Sequence, residues 1–229
     1  MKSIMLLHKF INLSKILRDN GNFFDKHRVC LSNKSFVLST IIGFVLLILS
    51  LIINYYAGLY ATEKASLAVT DIILSNIPVF NVDEFFIYGP FVLWAFVIIL
   101  SIVKPQRIPF ILKNIALFIL IRSVFITLTH IGPFPSALPL DSDLLKNFSS
   151  GSDLFFSAHT GLPFLMALLF HKHHWLLILF TVTAIFFGVI VLMAHLHYSI
   201  DVLSAFFITY TIYHIASFLF KKDEEMFES

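Results

Sequence analysis

Residues 35–60, SFVLSTIIGFVLLILSLIINYYAGLY, form a continuous apolar run without a single acidic or basic side chain. A helix needs about 20 mostly apolar residues to cross the hydrocarbon core of a bilayer, where every backbone polar group must be satisfied within the segment. The run meets both requirements. It therefore predicts a membrane-spanning helix.

Five further stretches have the same apolar character, although the third span of the series contains Lys113 and Arg122 and the fourth is the shortest. The complete set of predicted spans is 35–60, 85–103, 108–131, 154–170, 175–194 and 200–220. The sequence thus predicts an all-α fold, a polytopic membrane bundle of six transmembrane helices over residues 35–220. A basic segment, 1–34, precedes this single domain, and a short tail, 221–229, follows it.

The composition agrees with this class. Of the 229 residues, 58% are hydrophobic and only 13% are charged, and 27 are phenylalanine, which is more apolar surface than a water-soluble domain of this length hides. A formal net charge of +2, with no clusters of basic and aromatic residues, argues against a nucleic-acid partner. The single cysteine, Cys30, forms neither an internal disulfide nor a thiolate metal site.

Charge asymmetry predicts the orientation. Residues 1–34 contain seven basic and two acidic side chains, and the positive-inside rule places such a segment in the cytoplasm. With six spans, both termini are cytoplasmic, and the acidic loops within 61–84 and 141–153 lie on the opposite side. The spacing of Leu6, Phe10, Leu13 and Leu17 predicts an amphipathic helix on the membrane surface rather than a signal peptide.

Polar side chains occur near three span ends on the non-cytoplasmic side. They lie in the third span around Arg122, in SDLFFSAHT (residues 152–160) and in AHLHYSID (residues 194–201). Ionisable groups at membrane depth are costly and commonly mark a functional site. Because separate spans bring these groups to one membrane face, we interpret them as one site.

The spacing of His197 and Asp201 permits phosphoryl chemistry. A carboxylate four residues after a histidine lies on the same helical face, where its hydrogen bond fixes the imidazole tautomer and raises the basicity of the far nitrogen. A second histidine can exchange protons with the leaving and entering oxygens. Transfer through a phosphohistidine follows without a metal, with Arg122 and the N–H groups from Ser157 to Thr160 as the anion site.

Other interpretations of the same residues stay open. Arg122 by itself is compatible with a structural, snorkelling arginine. His195 and His197 form a metal-binding pair if Asp201 supplies a third ligand. The histidines at 171, 173 and 174 are interpreted as part of a solvated cytoplasmic turn. The favoured hypothesis needs no metal and no cofactor.

Two motifs carry a resemblance to the sphingomyelin synthase-like branch of the phosphatidic acid phosphatase type 2 superfamily. Residues 152–160 resemble Gly-Asp-x-x-x-Ser-Gly-His-Thr, with Ala158 in place of the glycine, and residues 197–202 resemble His-Tyr-Thr-x-Asp-Val. A weaker similarity covers Arg122 to Pro135. The wider superfamily's Lys-x6-Arg-Pro motif and its arginine six residues before the nucleophile are missing, the latter position being Val191, which favours the synthase-like branch.

The resemblance implies His197 as nucleophile, Asp201 as its partner and His159 as the acid/base group. Arg122, Ser157, Thr160, His195 and Tyr198 are predicted to bind substrate. The implied partners are membrane lipids, a phospholipid donor and a ceramide or diacylglycerol acceptor. Two alternatives are hydrolysis of a lipid phosphate or pyrophosphate by the same residues, and a non-catalytic membrane module.

Overall fold

The computed structural model describes residues 23–137 and 155–229, and every regular element in these two ranges is a helix. In chain order the α-helices are α1 (Phe23–Ser32), α2 (Lys34–Glu63), α3 (Asp83–Val103), α4 (Ile108–Leu128), α5 (Ala158–Leu169), α6 (His174–Met193), α7 (Ser199–Leu219) and α8 (Lys221–Glu228). A 3-10 turn, Pro105–Arg107, joins α3 to α4. The predicted all-α fold is confirmed. The predicted amphipathic helix near the N-terminus and the acidic loop within 141–153 lie outside the described residues.

Five helices are long and apolar enough to cross a membrane, namely α2, α3, α4 with the 3-10 turn before it, α6 and α7. This defines a multi-pass membrane protein. The ends of four predicted spans, 35–60, 85–103, 175–194 and 200–220, agree with these helices to within a few residues. The span predicted over 108–131 ends earlier, at Leu128, because Thr129 has an extended backbone.

The helix predicted over 154–170 is much shorter in the structure. α5 has 12 residues, about 18 Å of helix, against a hydrocarbon thickness of about 30 Å. Phe156 has a left-handed backbone, with φ of 67°, and Ser157 has ψ of 117°, so neither residue continues the helix toward the N-terminus. The prediction of a helix through residues 155–157 is therefore wrong.

The helices form a bundle with two ends. We call the end where α3, α5 and α7 begin the upper end, and the opposite end, where α8 packs, the lower end. α2 and α4 pack side by side and run in the same direction, with Ser39 beside Lys113 and Asn54 beside Arg122, and α5 lies inside the bundle against α6 and α7. At its upper end α5 approaches α7, and at its lower end Phe170 contacts Arg107 and Phe227. The chain therefore passes from the upper to the lower end through α5.

The last residues are part of the bundle rather than a free tail. Lys113, the charge within the third predicted span, forms an ion pair of 2.6 Å with Asp223 of α8. The Ser39 hydroxyl donates to the other oxygen of this carboxylate at 2.5 Å and accepts from Lys113 at 2.7 Å. Both charges are buried and paired, as low-dielectric surroundings require. Residues 221–228 form a helix held in place by this contact.

The turn between α5 and α6, which contains His173, lies at the lower end. The Nε2 atom of His173 accepts a hydrogen bond of 2.5 Å from the Arg107 guanidinium. Burial and the neighbouring Arg107 and Lys104 charges lower the pKa of His173, which keeps its ring neutral and able to accept.

The single cysteine, Cys30, packs against Phe36 and Met226, and burial raises the pKa of its thiol to about 11. The thiol is therefore protonated.

Candidate functional site

The turn between α6 and α7 holds the predicted histidine and aspartate pair at the upper end. His197 Nδ1 and Asp201 Oδ2 are 3.3 Å apart. The same carboxylate oxygen accepts a bond of 2.9 Å from the Tyr198 N–H, as an acidic residue in the first turn of a helix commonly does. His197 is 7% exposed and Asp201 is 0% exposed. With Nδ1 directed at the carboxylate, Nε2 is the ring nitrogen that points away from Asp201.

A tight turn at the end of α6 directs the chain toward His197. His195 has a left-handed backbone with φ of 55°, and the N–H of Leu196 reaches back to the carbonyl of Val191, a pattern that commonly ends helices. The His195 Nδ1 atom lies 2.6 Å from the Ser136 hydroxyl. Its Nε2 atom is buried and has no hydrogen-bond partner among the described residues.

Arg122 lies inside the bundle on α4 and is buried. Its Nε donates to the carbonyl of Phe156 at 3.1 Å, and its Nη1 donates to Oδ1 of Asn54 on α2 at 3.1 Å. Arg122 is six residues before the end of α4, which places it about 9 Å below that end along the helix axis. The start of α5 is therefore recessed within the bundle.

The first turn of α5 links Arg122 to the histidine and aspartate pair. Beyond Phe156, the Ser157 N–H donates to the main-chain carbonyl of Asp201 at 3.3 Å. Ser157 and Thr160 are fully buried, and their hydroxyls have no partner within residues 23–137 and 155–229. One path of contacts thus joins the residues predicted to bind phosphate to those predicted to react with it.

His159 lies in this same first turn, two residues after Ser157. Its ring stacks on Phe86 of α3, with centroids 4.1 Å apart and an interplanar angle of 23°, and meets the edge of Phe187 at 6.1 Å. These two aromatic rings fix the orientation of the imidazole. The first intrahelical bond of α5 runs from Gly161 to the Ser157 carbonyl at 2.9 Å, so the N–H groups before it lie outside the helical ladder.

Tyr198 is held within the protein. It is 1% exposed, its hydroxyl donates to the Gly132 carbonyl at 2.8 Å, and the Val69 N–H donates to that hydroxyl at 3.3 Å. Its role in substrate binding stays a prediction, while its structural role is to tie the turn to two other segments of the upper end.

Three residues near the site were not found by sequence reasoning: Asn54, Phe86 and Asp71. Asn54 and Phe86 sit within predicted spans and resemble ordinary bundle residues. Asp71 resembles one more acidic loop residue, but its carboxylate accepts bonds from the N–H and hydroxyl of Ser199, the first residue of α7, at 2.7 and 2.8 Å. No local sequence pattern marks any of these contacts.

The alternative of a metal pair is not favoured by the arrangement of these side chains. In the part of the chain that the structure describes, no three His, Cys, Asp or Glu side chains are grouped to hold a metal ion. His195 directs Nδ1 at a serine hydroxyl, and His197 directs Nδ1 at a carboxylate oxygen that also accepts the Tyr198 N–H.

An apolar crevice of about 590 Å³ opens between α2, α3 and α4 below this site. Its lining is apolar except for Ser101, whose hydroxyl bonds to the Val97 carbonyl. At its upper end it reaches Leu162, one turn after His159, and Ile119, one turn before Arg122. The crevice thus comes within one helical turn of two of the predicted site residues.

Comparisons of the chain with protein-family models, with curated proteins and with solved structures find no match. The class that fold and site define is a helical multi-pass membrane protein with a buried histidine and aspartate pair at one end.

Proposed function

We propose that this chain is a membrane lipid phosphotransferase of the sphingomyelin synthase type. It moves a phospho-headgroup from a phospholipid to a lipid alcohol, such as ceramide or diacylglycerol, through a phosphohistidine intermediate. The observation that carries the proposal is the His197 and Asp201 pair, with Nδ1 of the imidazole directed at a buried carboxylate. That geometry leaves Nε2 as a nucleophile and stabilises the cationic ring that forms during attack.

The reaction is a double displacement. In the first step Nε2 of His197 attacks phosphorus, the bond from phosphorus to the donor lipid oxygen breaks, and His159 protonates the departing oxygen. In the second step His159 takes the proton of the acceptor hydroxyl, whose oxygen attacks phosphorus and releases His197. Each proton given in the first step is recovered in the second, so the enzyme returns to its starting state.

The phosphate oxygens need positive potential while the charge on them redistributes. Arg122 supplies a guanidinium that donates to the Phe156 carbonyl and to the Asn54 side chain. The N–H groups in the first turn of α5 add the positive end of a helix dipole. Because α5 begins below the end of α4, both contributions act in a recessed, low-dielectric setting where they are strongest.

The crevice supports a lipid as the substrate. Its lining residues on α4 run from Ile108 to Ile119, about 16 Å of helix, which is about half the hydrocarbon thickness. Its upper end lies one turn from both His159 and Arg122. A lipid whose phosphate lies at the site can extend an acyl chain into the crevice without exposing it to water.

We also propose six membrane crossings with both termini in the cytoplasm. α4 ends at the upper end and α6 begins at the lower end, so α5 supplies a crossing despite its length, which local thinning of the bilayer accommodates. Lysine and arginine residues gather at the lower end, where α8 also carries acidic residues, whereas the described loop and span ends of the upper end contain Lys64 together with Glu63, Asp71, Asp83 and Glu84. The basic residues at the lower end include Lys104, Arg107, Lys172, Lys221 and Lys222. Because the positive-inside rule counts basic residues, this distribution supports the lower end as the cytoplasmic side. The active site then faces away from the cytoplasm.

Reporter fusions test this orientation. A fusion after Ser229 and one inserted after Asp141 are expected to report opposite sides of the membrane, with Ser229 in the cytoplasm. A fusion after Arg107 serves as a second cytoplasmic control. Reporters at Ser229 and Asp141 on the same side would contradict six crossings.

The transfer reaction is tested with membranes from a host that expresses the chain. Given a phospholipid with a labelled headgroup together with ceramide or diacylglycerol, these membranes are expected to form a labelled product lipid, separable by thin-layer chromatography. Product formation is expected to persist in excess chelator, because the proposed nucleophile, acid and cation are all side chains.

The outcomes separate the alternatives. Label released into water, with no labelled product lipid, would identify hydrolysis by the same residues. Loss of activity in chelator, restored by one divalent metal, would favour the metal pair of His195 and His197. No headgroup chemistry on any phospholipid offered would favour the non-catalytic module.

A further inference from the structure

We infer that Asp71 is a positioning residue for the histidine and aspartate pair, an inference that rests on the proposed function. Asp71 lies between α2 and α3, outside both helices, and is 7% exposed. Its contacts lead to the first residue of α7, which stands between His197 and Asp201 in the sequence. The geometry assigns it the task of holding the start of α7 in register with the imidazole.

The Asp71 carboxylate is fully engaged. Oδ2 accepts from the Ser199 N–H at 2.7 Å and from the Ser199 hydroxyl at 2.8 Å. Oδ1 accepts from the N–H groups of Ile73 and Leu74 at 2.9 and 3.1 Å. One side chain therefore joins a tight turn of the loop after α2 to the N-terminus of α7. The Ser199 N–H would otherwise be one of the unpaired groups that every helix N-terminus leaves.

The negative charge of Asp71 has a second effect at this place. A carboxylate at a helix N-terminus interacts favourably with the helix dipole. Burial acts to raise the pKa of Asp71, but the hydrogen bonds from Ser199, Leu74 and Ile73 outweigh it, so the pKa lies below the usual aspartate value. The stabilisation is therefore present above the unfolded-state pKa, about 4, and is lost as pH falls through the folded-state pKa.

A separate set of contacts holds Tyr198, the residue between His197 and Ser199. Tyr198 bonds through its hydroxyl to the Gly132 carbonyl and to the Val69 N–H, and its ring packs against Leu74. The segment that contains Val69, Asp71 and Leu74 thus holds both residues next to His197 on the α7 side. Neither Asp71 nor Val69 needs to touch substrate for this segment to set the direction of the imidazole.

The test is a double-mutant cycle with kinetic readout. Asp71→Asn replaces an acceptor with an amide that cannot accept from Ser199 and from the loop at once. The kcat is expected to fall roughly 10²-fold, as for a displacement of about 1 Å at a reacting group, while KM stays within about twofold because the contacts with the lipid remain. Glu84→Gln, which removes a charge from an exposed residue of the same end, is expected to leave kcat unchanged.

The second arm separates positioning from general stability. In an Asp201→Asn background the pair no longer functions, so adding Asp71→Asn is expected to lower kcat by less than fivefold, far less than in the wild type. A full 10²-fold loss in both backgrounds would overturn the inference, because Asp71 would then act independently of the pair. So would a wild-type kcat in Asp71→Asn.

A milder variant covers the case in which Asp71→Asn does not fold. Ser199→Ala removes one of the four bonds and keeps the backbone N–H, so a kcat reduced by several fold at wild-type abundance and wild-type thermal unfolding in detergent supports positioning. An unchanged kcat would overturn it. A wild-type chain without turnover would instead mean that the proposed function fails, which distinguishes the two.

Discussion

Replacement of His197 by alanine is expected to reduce headgroup transfer to the background of membranes that lack the protein. In the proposed reaction His197 Nε2 forms the bond to phosphorus, and the buried carboxylate of Asp201 orients the ring from the opposite side. Alanine offers no nucleophile, and water cannot replace it without changing the product from a lipid to a free headgroup. The measurement is the initial rate of labelled product lipid per amount of protein in the membrane.

His214→Ala is the matched control. His214 lies on the same helix, α7, is exposed and contacts the rings of Tyr210 and Tyr213. It is expected to retain the wild-type rate. Transfer that persists in His197→Ala at more than about a hundredth of the wild-type rate would contradict the assignment of the nucleophile.

Asp201→Asn is expected to lower kcat by about 10⁴-fold, equivalent to about 5 kcal/mol of transition-state stabilisation, as the corresponding change does in a Ser-His-Asp triad. Asparagine keeps the oxygen that accepts from the Tyr198 N–H, and His197 Nδ1 faces that same oxygen, but the oxygen no longer carries a negative charge. The cationic ring that forms during attack is therefore left without a negative partner. A neutral amide also holds the tautomer with the free Nε2 lone pair less firmly than a carboxylate does.

The same variant is expected to fold normally, because the contact that begins α7 is retained. Thermal unfolding in detergent is expected to match the wild type, and Asp25→Asn, on the exposed surface of α1, controls for the loss of one carboxylate. A rate within tenfold of the wild type would show that the carboxylate does not orient the nucleophile. A protein that no longer accumulates would assign Asp201 a structural role instead.

The sequence predicted the spanning helices well because their signal is local. A helix that crosses a bilayer must be long and uniformly apolar, and both properties can be counted along the sequence. The shortened α5 could not be predicted in this way. Its start depends on the left-handed Phe156, whose carbonyl accepts a bond from Arg122 on another helix. Residues 155–157 are apolar enough to continue a helix, and the observed start coincides with two tertiary contacts, this one and the bond from the Ser157 N–H to the Asp201 carbonyl.

The same distinction between local and long-range signals applies to the candidate site. The pairing of His197 with Asp201 followed from a spacing of four residues, since residues at that separation meet at the start of a helix. The contact of Asp71 with Ser199 joins residues 128 positions apart, and that of Arg122 with Asn54 joins residues 68 positions apart. Nothing in the sequence around an acidic loop residue, or around a single asparagine in an apolar run, indicates which distant residue it contacts. Long-range hydrogen bonds of this kind need the folded chain.

The central claim is a covalent intermediate on Nε2 of His197, and the most direct measurement is its isolation. Protein mixed with a labelled phospholipid donor and no acceptor is quenched rapidly without acid, digested and mapped by mass spectrometry. The account predicts a phospho-headgroup adduct on the peptide that contains His197, missing in His197→Ala and discharged when ceramide or diacylglycerol is added before the quench. An adduct on His159, or an active protein in which no adduct forms, would contradict it.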